Sequence, residues 1–238
     1  MVWLSFLGGG FGPFVIVGFV ILAIVLVIVG HLQAEKRRQA MAELARSMDL
    51  SFQATKDYGM DERFGRFDCF RKGSGRYAHN IMTGRIHDRD VWAFDFHYET
   101  HSRDSKGRRR THHHYFSALI IDSGLPLQPL LMRPEGFFDK ITEFVGFDDI
   151  DFESNEFSRS FYVKSPNKKW AFDVIHQETM EFLLEAPRFK IEFQGPYIVA
   201  YRSNRFDVKE FGDALAVVEG LLQRFPDYLL RELKGINQ

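Results

Sequence analysis

The chain has 238 residues, with 31 Lys and Arg against 32 Asp and Glu and a formal net charge of −1. That balance leaves no global basic field and argues against a general nucleic-acid binder. One cysteine excludes an intrachain disulfide and a zinc ribbon, and 45% hydrophobic with 26% charged residues is a globular rather than a disordered composition.

The N-terminal stretch is the strongest signal. From Phe11 to Gly30 every residue is apolar, Gly or Pro. Twenty residues at 1.5 Å each span about 30 Å, the thickness of the hydrocarbon layer. Fifteen of them are Leu, Ile, Val or Phe, which at roughly −0.4 kcal/mol each favours insertion by at most about −6 kcal/mol. The backbone there must be helical, because lipid offers its polar groups no partners. A secretory signal would carry a basic start, a shorter core and small residues at a cleavage site. Here the first ionisable side chain is His31, and His31-Leu32-Gln33-Ala34-Glu35 follows the core. We therefore expect a transmembrane anchor over residues 1–31, a helical stalk over 32–50 and a soluble domain over 51–238. Lys36, Arg37 and Arg38 lie just past the apolar run. The positive-inside rule then puts the N-terminus outside and the domain in the cytoplasm, at the inner (plasma) membrane. The lone thiol, Cys69, suits a reducing compartment.

Glu35 to about Met48 reads as helix, since Met41, Leu44, Ala45 and Met48 recur at three- and four-residue spacing. Short strands follow: Arg66–Phe70, the turn Gly73-Ser74-Gly75, Tyr77–Thr83, a turn near Gly84, and Asp90–Thr100. In the last of these Trp92, Phe94, Phe96 and Tyr98 take one face, and Val91, Ala93, Asp95, His97, Glu99 and His101 the other, as in a half-buried antiparallel strand. Cys69 falls on a strand face with Phe67 and reads as a small buried hydrophobe. The polar loop Ser102–Arg110 leads into Thr111–Asp122, so these two strands form a long hairpin. Gln128–Met132 is a further candidate strand.

The second half is richer in helix. Gly136–Val145 is helical by pattern, and Ser158–Val163 is a strand. Ser165-Pro166 marks a helix start, with Ser as N-cap and Pro at the first helical position. Trp170–Ile175 and Thr179–Leu184 are two short helices, the second ended by Pro187. The alternating segment Phe189–Gln194 turns at Gly195-Pro196, and Tyr197–Arg202 returns as a hairpin. Phe211, Leu215, Val218 and Leu222 define a long amphipathic helix with Asp207 as N-cap. The fold class is α+β: an N-terminal transmembrane helix, then antiparallel strands with packed helices mainly in the C-terminal half.

Three segments, Leu131-Met132-Arg133-Pro134-Glu135, Asp149-Ile150-Asp151-Phe152-Glu153 and Glu156-Phe157-Ser158-Arg159-Ser160-Phe161-Tyr162-Val163, carry a resemblance. Over residues 35–225 the chain is similar to an uncharacterised bacterial family of single-pass membrane proteins with one cytoplasmic α+β domain. The resemblance implies the architecture and transfers no catalytic residue. The histidine run after Thr111 is not part of it.

Three constellations bear on chemistry. Seven of the nine histidines fall between His79 and His114. His97 and His101 share one strand face, His112 and His114 share a face of the facing strand, and His113 takes the other. Imidazoles converging from facing strands bind Zn²⁺, Ni²⁺ or Cu²⁺, and Glu99 is placed to add a carboxylate. The register that would decide convergence is not given by sequence, and a polar hairpin surface explains the same residues. The loop's Arg103, Lys106, Arg108, Arg109 and Arg110 face one acid, Asp104, a patch suited to anionic headgroups or to a solvated hairpin tip. Between Pro134 and Phe157 eight acids (Glu135, Asp139, Glu143, Asp148, Asp149, Asp151, Glu153, Glu156) stand against Lys140. They have no EF-hand spacing, and the segment reads as structural, with Ile150, Phe152 and Phe157 docked on a core and Arg159 or Arg133 pairing an acid.

No phosphate loop, nucleophile elbow, metalloprotease helix or kinase signature occurs. We assign no catalytic, cofactor-binding or metal residue, and no cofactor, from sequence. The expectation is a non-enzymatic, membrane-anchored cytoplasmic binding or scaffold protein. Its partners are the lipid bilayer and a protein, or a second copy of itself, and not nucleic acid. The alternative is a membrane-tethered metal-dependent hydrolase, or another enzyme using the histidine cluster or the acidic stretch.

Overall fold

The computed structural model describes residues 11–136 and 149–235. Its elements are α1 (Phe11–Ser47), β1 (Ser51–Gln53), α2 (Met60–Arg63), α3 (Asp68–Arg71), β2 (Ser74–Ile86), β3 (Arg89–Arg103), β4 (Arg109–Pro134), α4 (Asn155–Ser160), β5 (Phe161–Lys164), α5 (Lys168–Val174), α6 (Gln177–Glu185), β6 (Lys190–Tyr201), α7 (Glu210–Gln223) and α8 (Asp227–Leu233). The chain divides into two compact units, Met1–Ala40 and Met41–Gln238. The helix expected over Gly136–Val145 lies, past its first residue, outside the described residues.

In the first unit the helix is apolar on all sides as far as Gly30. Its best 18-residue window has a mean hydropathy of 3.1, and none of that window is buried. Among the described residues this is the one helix long and apolar enough to cross a membrane. Polar pairing begins directly after it. Glu35 accepts from Arg38 Nη1 at 2.9 Å and from Gln39 Nε2 at 3.3 Å, the neighbours one turn on.

The second unit is built on an antiparallel sheet. Strands β1, β2, β3 and β4 pair in order, and β4 also pairs with β5 and β6. β4 is the spine: 26 residues long, it is bordered by β3 up to Ile121, by β6 from Ala118 to Met132 and by β5 from Leu131 to Pro134. Gln128–Met132 is therefore not a separate strand but the far end of β4. Pro126 and Pro129, which cannot donate to a ladder, fall in the stretch where the register with β6 slips, between Asp122 and Leu130. β6 is also continuous. The reversal expected at Gly195-Pro196 does not form, because β4 offers an antiparallel partner to both halves of the segment, from Met132 to Ala118. Gly195 and Pro196 instead run past a bulge in β4, where Asp122 to Leu127 is matched by only Tyr197 to Gly195.

The sheet carries two cores. Met82, Val91, Ala93, Leu119, Ile121, Ile198 and Ala200 look one way, onto α5–α8 and the end of α1, where Met41 and Ala45 are fully buried. Phe94, Phe96, Phe116, Ala118, Ile120 and Val199 look the other way, onto Phe64, Phe67, Cys69 and Phe70. The middle of β3 is thus covered on both faces rather than half-buried. The strand expected over Arg66–Phe70 is a turn followed by α3. The deciding signal is Phe64, Phe67 and Phe70 at three-residue spacing, all fully buried, with Phe67 N donating to Phe64 O at 3.0 Å and Phe70 N to Phe67 O at 3.1 Å.

Local turn chemistry corrects four other boundaries. The β2–β3 turn is His87-Asp88, both at positive φ (46° and 63°), which matches the two-residue hairpin turn and not Gly84. Ser158 ends up in α4, and the strand starts at Phe161. The helix expected at Ser165-Pro166 begins two residues later, where the Asn167 side chain caps Trp170 N at 3.2 Å. At α7, Asp207 contributes backbone rather than side chain: its amide donates to Glu210 Oε2 at 2.8 Å.

Candidate functional site

The long hairpin expected from sequence is present, and its turn fixes everything that follows. Asp104 and Gly107 close it: Gly107 N donates to Asp104 O at 2.9 Å, and the Asp104 carboxylate accepts from the amides of Lys106 and Arg108 at 2.9 Å each. Asp at the first position and Gly at the fourth are the residues such a turn favours. The Arg108 amide, foremost, holds the Asp104 carboxyl below its ordinary range. Of the five cations of the loop, Arg108 pairs with Asp104 at 2.9 Å and Arg110 lies 3.9 Å away.

That turn sets Arg103 opposite Arg109, and so His97 opposite Tyr115 and Glu99 opposite His113. On the other side of β3, Asp95 meets His79, His97 meets Tyr77 and Glu99 meets Ser74. One sheet face thus carries three polar rungs stacked above the apolar core: His79–Asp95–Ser117, Tyr77–His97–Tyr115 and Ser74–Glu99–His113.

The first rung is closed. Asp95 is fully buried and accepts from Ser117 Oγ at 2.6 Å and Asn80 Nδ2 at 3.1 Å, while Ser117 Oγ accepts from Phe206 N at 3.0 Å. Asn80 reaches it from a bulge in β2, at φ 51°.

The second and third rungs share atoms. His97 is 2% exposed, lies 4.5 Å from the Tyr77 ring and 5.3 Å from the His113 ring, centre to centre, and is nearly parallel to both. Its Nδ1 faces the Gly75 carbonyl at 3.0 Å, so Nδ1 carries the proton and donates, leaving the Nε2 lone pair free to accept. That Nε2 lies 3.1 Å from His113 Nδ1, which in turn lies 3.5 Å from Glu99 Oε1. Burial, ahead of the neighbouring charges, pushes the His97 pKa down and keeps the ring neutral. One donor atom from each of His97, Glu99 and His113 falls within 4.8 Å of the other two; among the described residues this is the group of His, Cys, Asp or Glu side chains so arranged.

The other sequence-named residues stand apart. His101 is further up the same face, between Ser74 Oγ at 3.1 Å and Thr111 Oγ1 at 3.2 Å. His112 and His114 sit on the opposite face, paired with Ser102 Oγ and Thr100 Oγ1 at 2.8 Å each. The middle histidine of the run, not its flanks, meets His97. In the acidic stretch Asp151 and Glu153 are exposed and Asp149 turns its carboxylate back onto β5, while Ile150, Phe152 and Phe157 are buried, as expected. Asp149 Oδ1 accepts from Val163 N at 3.0 Å, and burial raises its pKa. Arg133 lies over the Tyr162 ring at 4.1 Å. Asp139, Lys140, Glu143 and Asp148 lie outside the described residues.

Sequence reading missed a second polar cluster. Glu192, 2% exposed, accepts from Tyr201 Oη at 2.6 Å. Along a straight strand these two residues would be about 30 Å apart; the bend at Gly195 brings them together. Burial pushes the Glu192 carboxyl up to about 7, against the pull of the Tyr201 hydroxyl. Beside it a cleft is lined by Cys69, Lys72, Tyr98, Phe116, Tyr201, Arg202 and Ser203.

Fold and site together define an α+β domain accompanied by a helix of membrane-spanning length. No family model matches the chain, and no curated protein matches it in sequence. The resemblance carried by Leu131–Glu135, Asp149–Glu153 and Glu156–Val163 therefore rests on those residues alone. They do form one structural unit, the end of β4 paired with β5, with Ile150 N donating to Val163 O at 3.0 Å. Among solved structures, the mycobacterial trehalose monomycolate transport factor A, TtfA, shares the fold. The TM-score is 0.60 at 13% identity, covering 86% of this chain and 98% of that one.

Proposed function

We propose that this protein is a membrane-anchored, non-enzymatic accessory factor of a transport process, working through a protein bound to its α+β domain. The observation that carries the reading is the shared fold with a transport factor over nearly the whole of that chain. The apolar helix supports it by supplying a place of action at the bilayer. Lys36, Arg37 and Arg38 support an N-terminus outside and a domain in the cytoplasm, and the basic turn between Arg103 and Arg110 is suited to anionic headgroups near that surface. The test is a cross-linked pull-down of the full-length chain from native membranes, read by mass spectrometry. A reproducible partner, or the chain itself, lost when residues 41–238 are deleted supports the reading; no enrichment over background overturns it. For the orientation, protease added to spheroplasts should leave the domain intact and should digest it only after lysis.

A further inference from the structure

We propose that His97, Glu99 and His113 bind one divalent transition-metal ion of the Zn²⁺ type, with two ligands from β3 and one from β4. The inference is independent of the partner reading above. Four observations converge on it. The donors are two imidazoles and a carboxylate, a set that suits Zn²⁺ and its neighbours rather than Ca²⁺ or Mg²⁺. Their spacing fits: metal–ligand bonds of 2.0–2.1 Å in a tetrahedron put ligand atoms about 3.3 Å apart, and two of the three edges here measure 3.1 and 3.5 Å. The remaining edge closes by rotation of the Glu99 side chain, which is only part-buried.

The buried ligand is also held in place. His97 donates from Nδ1 to the Gly75 carbonyl and lies against the Tyr77 and Tyr115 rings at 4.5 and 4.8 Å. This is the supporting shell that fixes tautomer and ring plane at a metal-bound histidine. Finally, the metal-free arrangement is self-consistent. A single proton on His113 Nδ1, shared between His97 Nε2 and Glu99 Oε1, stands where the metal would bind all three. When the metal takes the His113 Nδ1 lone pair, that proton passes through solvent to His113 Nε2 and the ring stays neutral; a fourth position remains on the solvent side, next to the exposed His113, for water or an oxyanion.

The experiment uses the full-length chain in detergent micelles, without a histidine tag, stripped by chelator and titrated calorimetrically with Zn²⁺. One Zn²⁺ per chain is expected. His113→Ala should weaken binding by more than the roughly 10–100-fold that losing a supporting group costs, and Glu99→Gln should weaken it at least about tenfold. Both positions are at the surface end of the hairpin, so both variants should melt like the parent in chelator. The double variant His112→Ala/His114→Ala, on the opposite face, should bind as the parent does. No stoichiometric Zn²⁺ in the parent, or binding that follows His112 and His114 instead, overturns the proposal.

Discussion

Two buried carboxyl groups, Asp95 and Glu192, take opposite roles from their surroundings. Asp95 is surrounded by donors, and Asp95→Ala would remove the carboxylate that accepts from the buried Ser117 hydroxyl and Asn80 amide. We expect a loss of about 3 kcal/mol, measured by denaturant unfolding. Because Ser117 also holds Phe206 N, the connection before α7 should loosen first, visible as faster hydrogen exchange at Phe206. Glu192 accepts from the Tyr201 hydroxyl, and burial raises its carboxyl from 4.5 to about 7. Between those values the folded protein holds a proton that the unfolded chain has released. Stability from this group is therefore full below pH 4.5 and is lost as pH rises through 7, by about 3 kcal/mol. Glu192→Gln keeps an acceptor for Tyr201 and removes the titration. The variant should match the parent at pH 4.5 and exceed it at pH 8, read as the difference in thermal midpoint.

At the scale of elements, the turns decide where strands meet. Gly73 leads into β2 beside Glu99, and Gly107 closes the β3–β4 turn, at φ 61° and 77°. Alanine at either position pays for left-handed backbone, about 1 kcal/mol. At Gly107 a Cβ meets nothing within 4 Å, whereas at Gly73 it would lie 2.1 Å from the Glu99 carbonyl oxygen. Gly73→Ala should therefore cost clearly more than Gly107→Ala, about 3 against about 1 kcal/mol, and should alone weaken Zn²⁺ binding, since it pushes the start of β2 away from Glu99. Equal losses would show that β2 yields freely there. The hairpin itself was legible in the sequence from alternation, but Asp104 and Gly107, which set its register, lay in a loop legible only as polar. Period-two reading failed where aromatic residues pack at threes, as at Phe64, Phe67 and Phe70, and where Gly and Pro bend a strand rather than end it, as at Gly195-Pro196.

For the whole molecule, the compact division at Ala40 gives a cutting point. A chain beginning at Met41 keeps Met41 and Ala45, both fully buried in the larger core, and should stay folded without detergent. One beginning at Ser51 loses them along with Leu50. Deleting a buried Met side chain costs about 2–5 kcal/mol, so its thermal midpoint should fall by about 10 °C. If both chains melt alike, residues 41–50 are dispensable to the domain.

The apolar helix of spanning length, the α+β class, the long β3–β4 hairpin and the helices around Trp170, Thr179 and Phe211 were determined by sequence alone. Each rests on a periodicity or an apolar run confined to neighbouring residues, where side-chain direction follows directly from backbone geometry. What only the tertiary structure decided are the relations across distance. Both faces of β3 are covered because helices distant in sequence pack on each. Glu192 reaches Tyr201 because β6 bends along β4. His113 rather than His112 or His114 faces His97, because a one-residue change of register moves every side chain to the other face of the sheet.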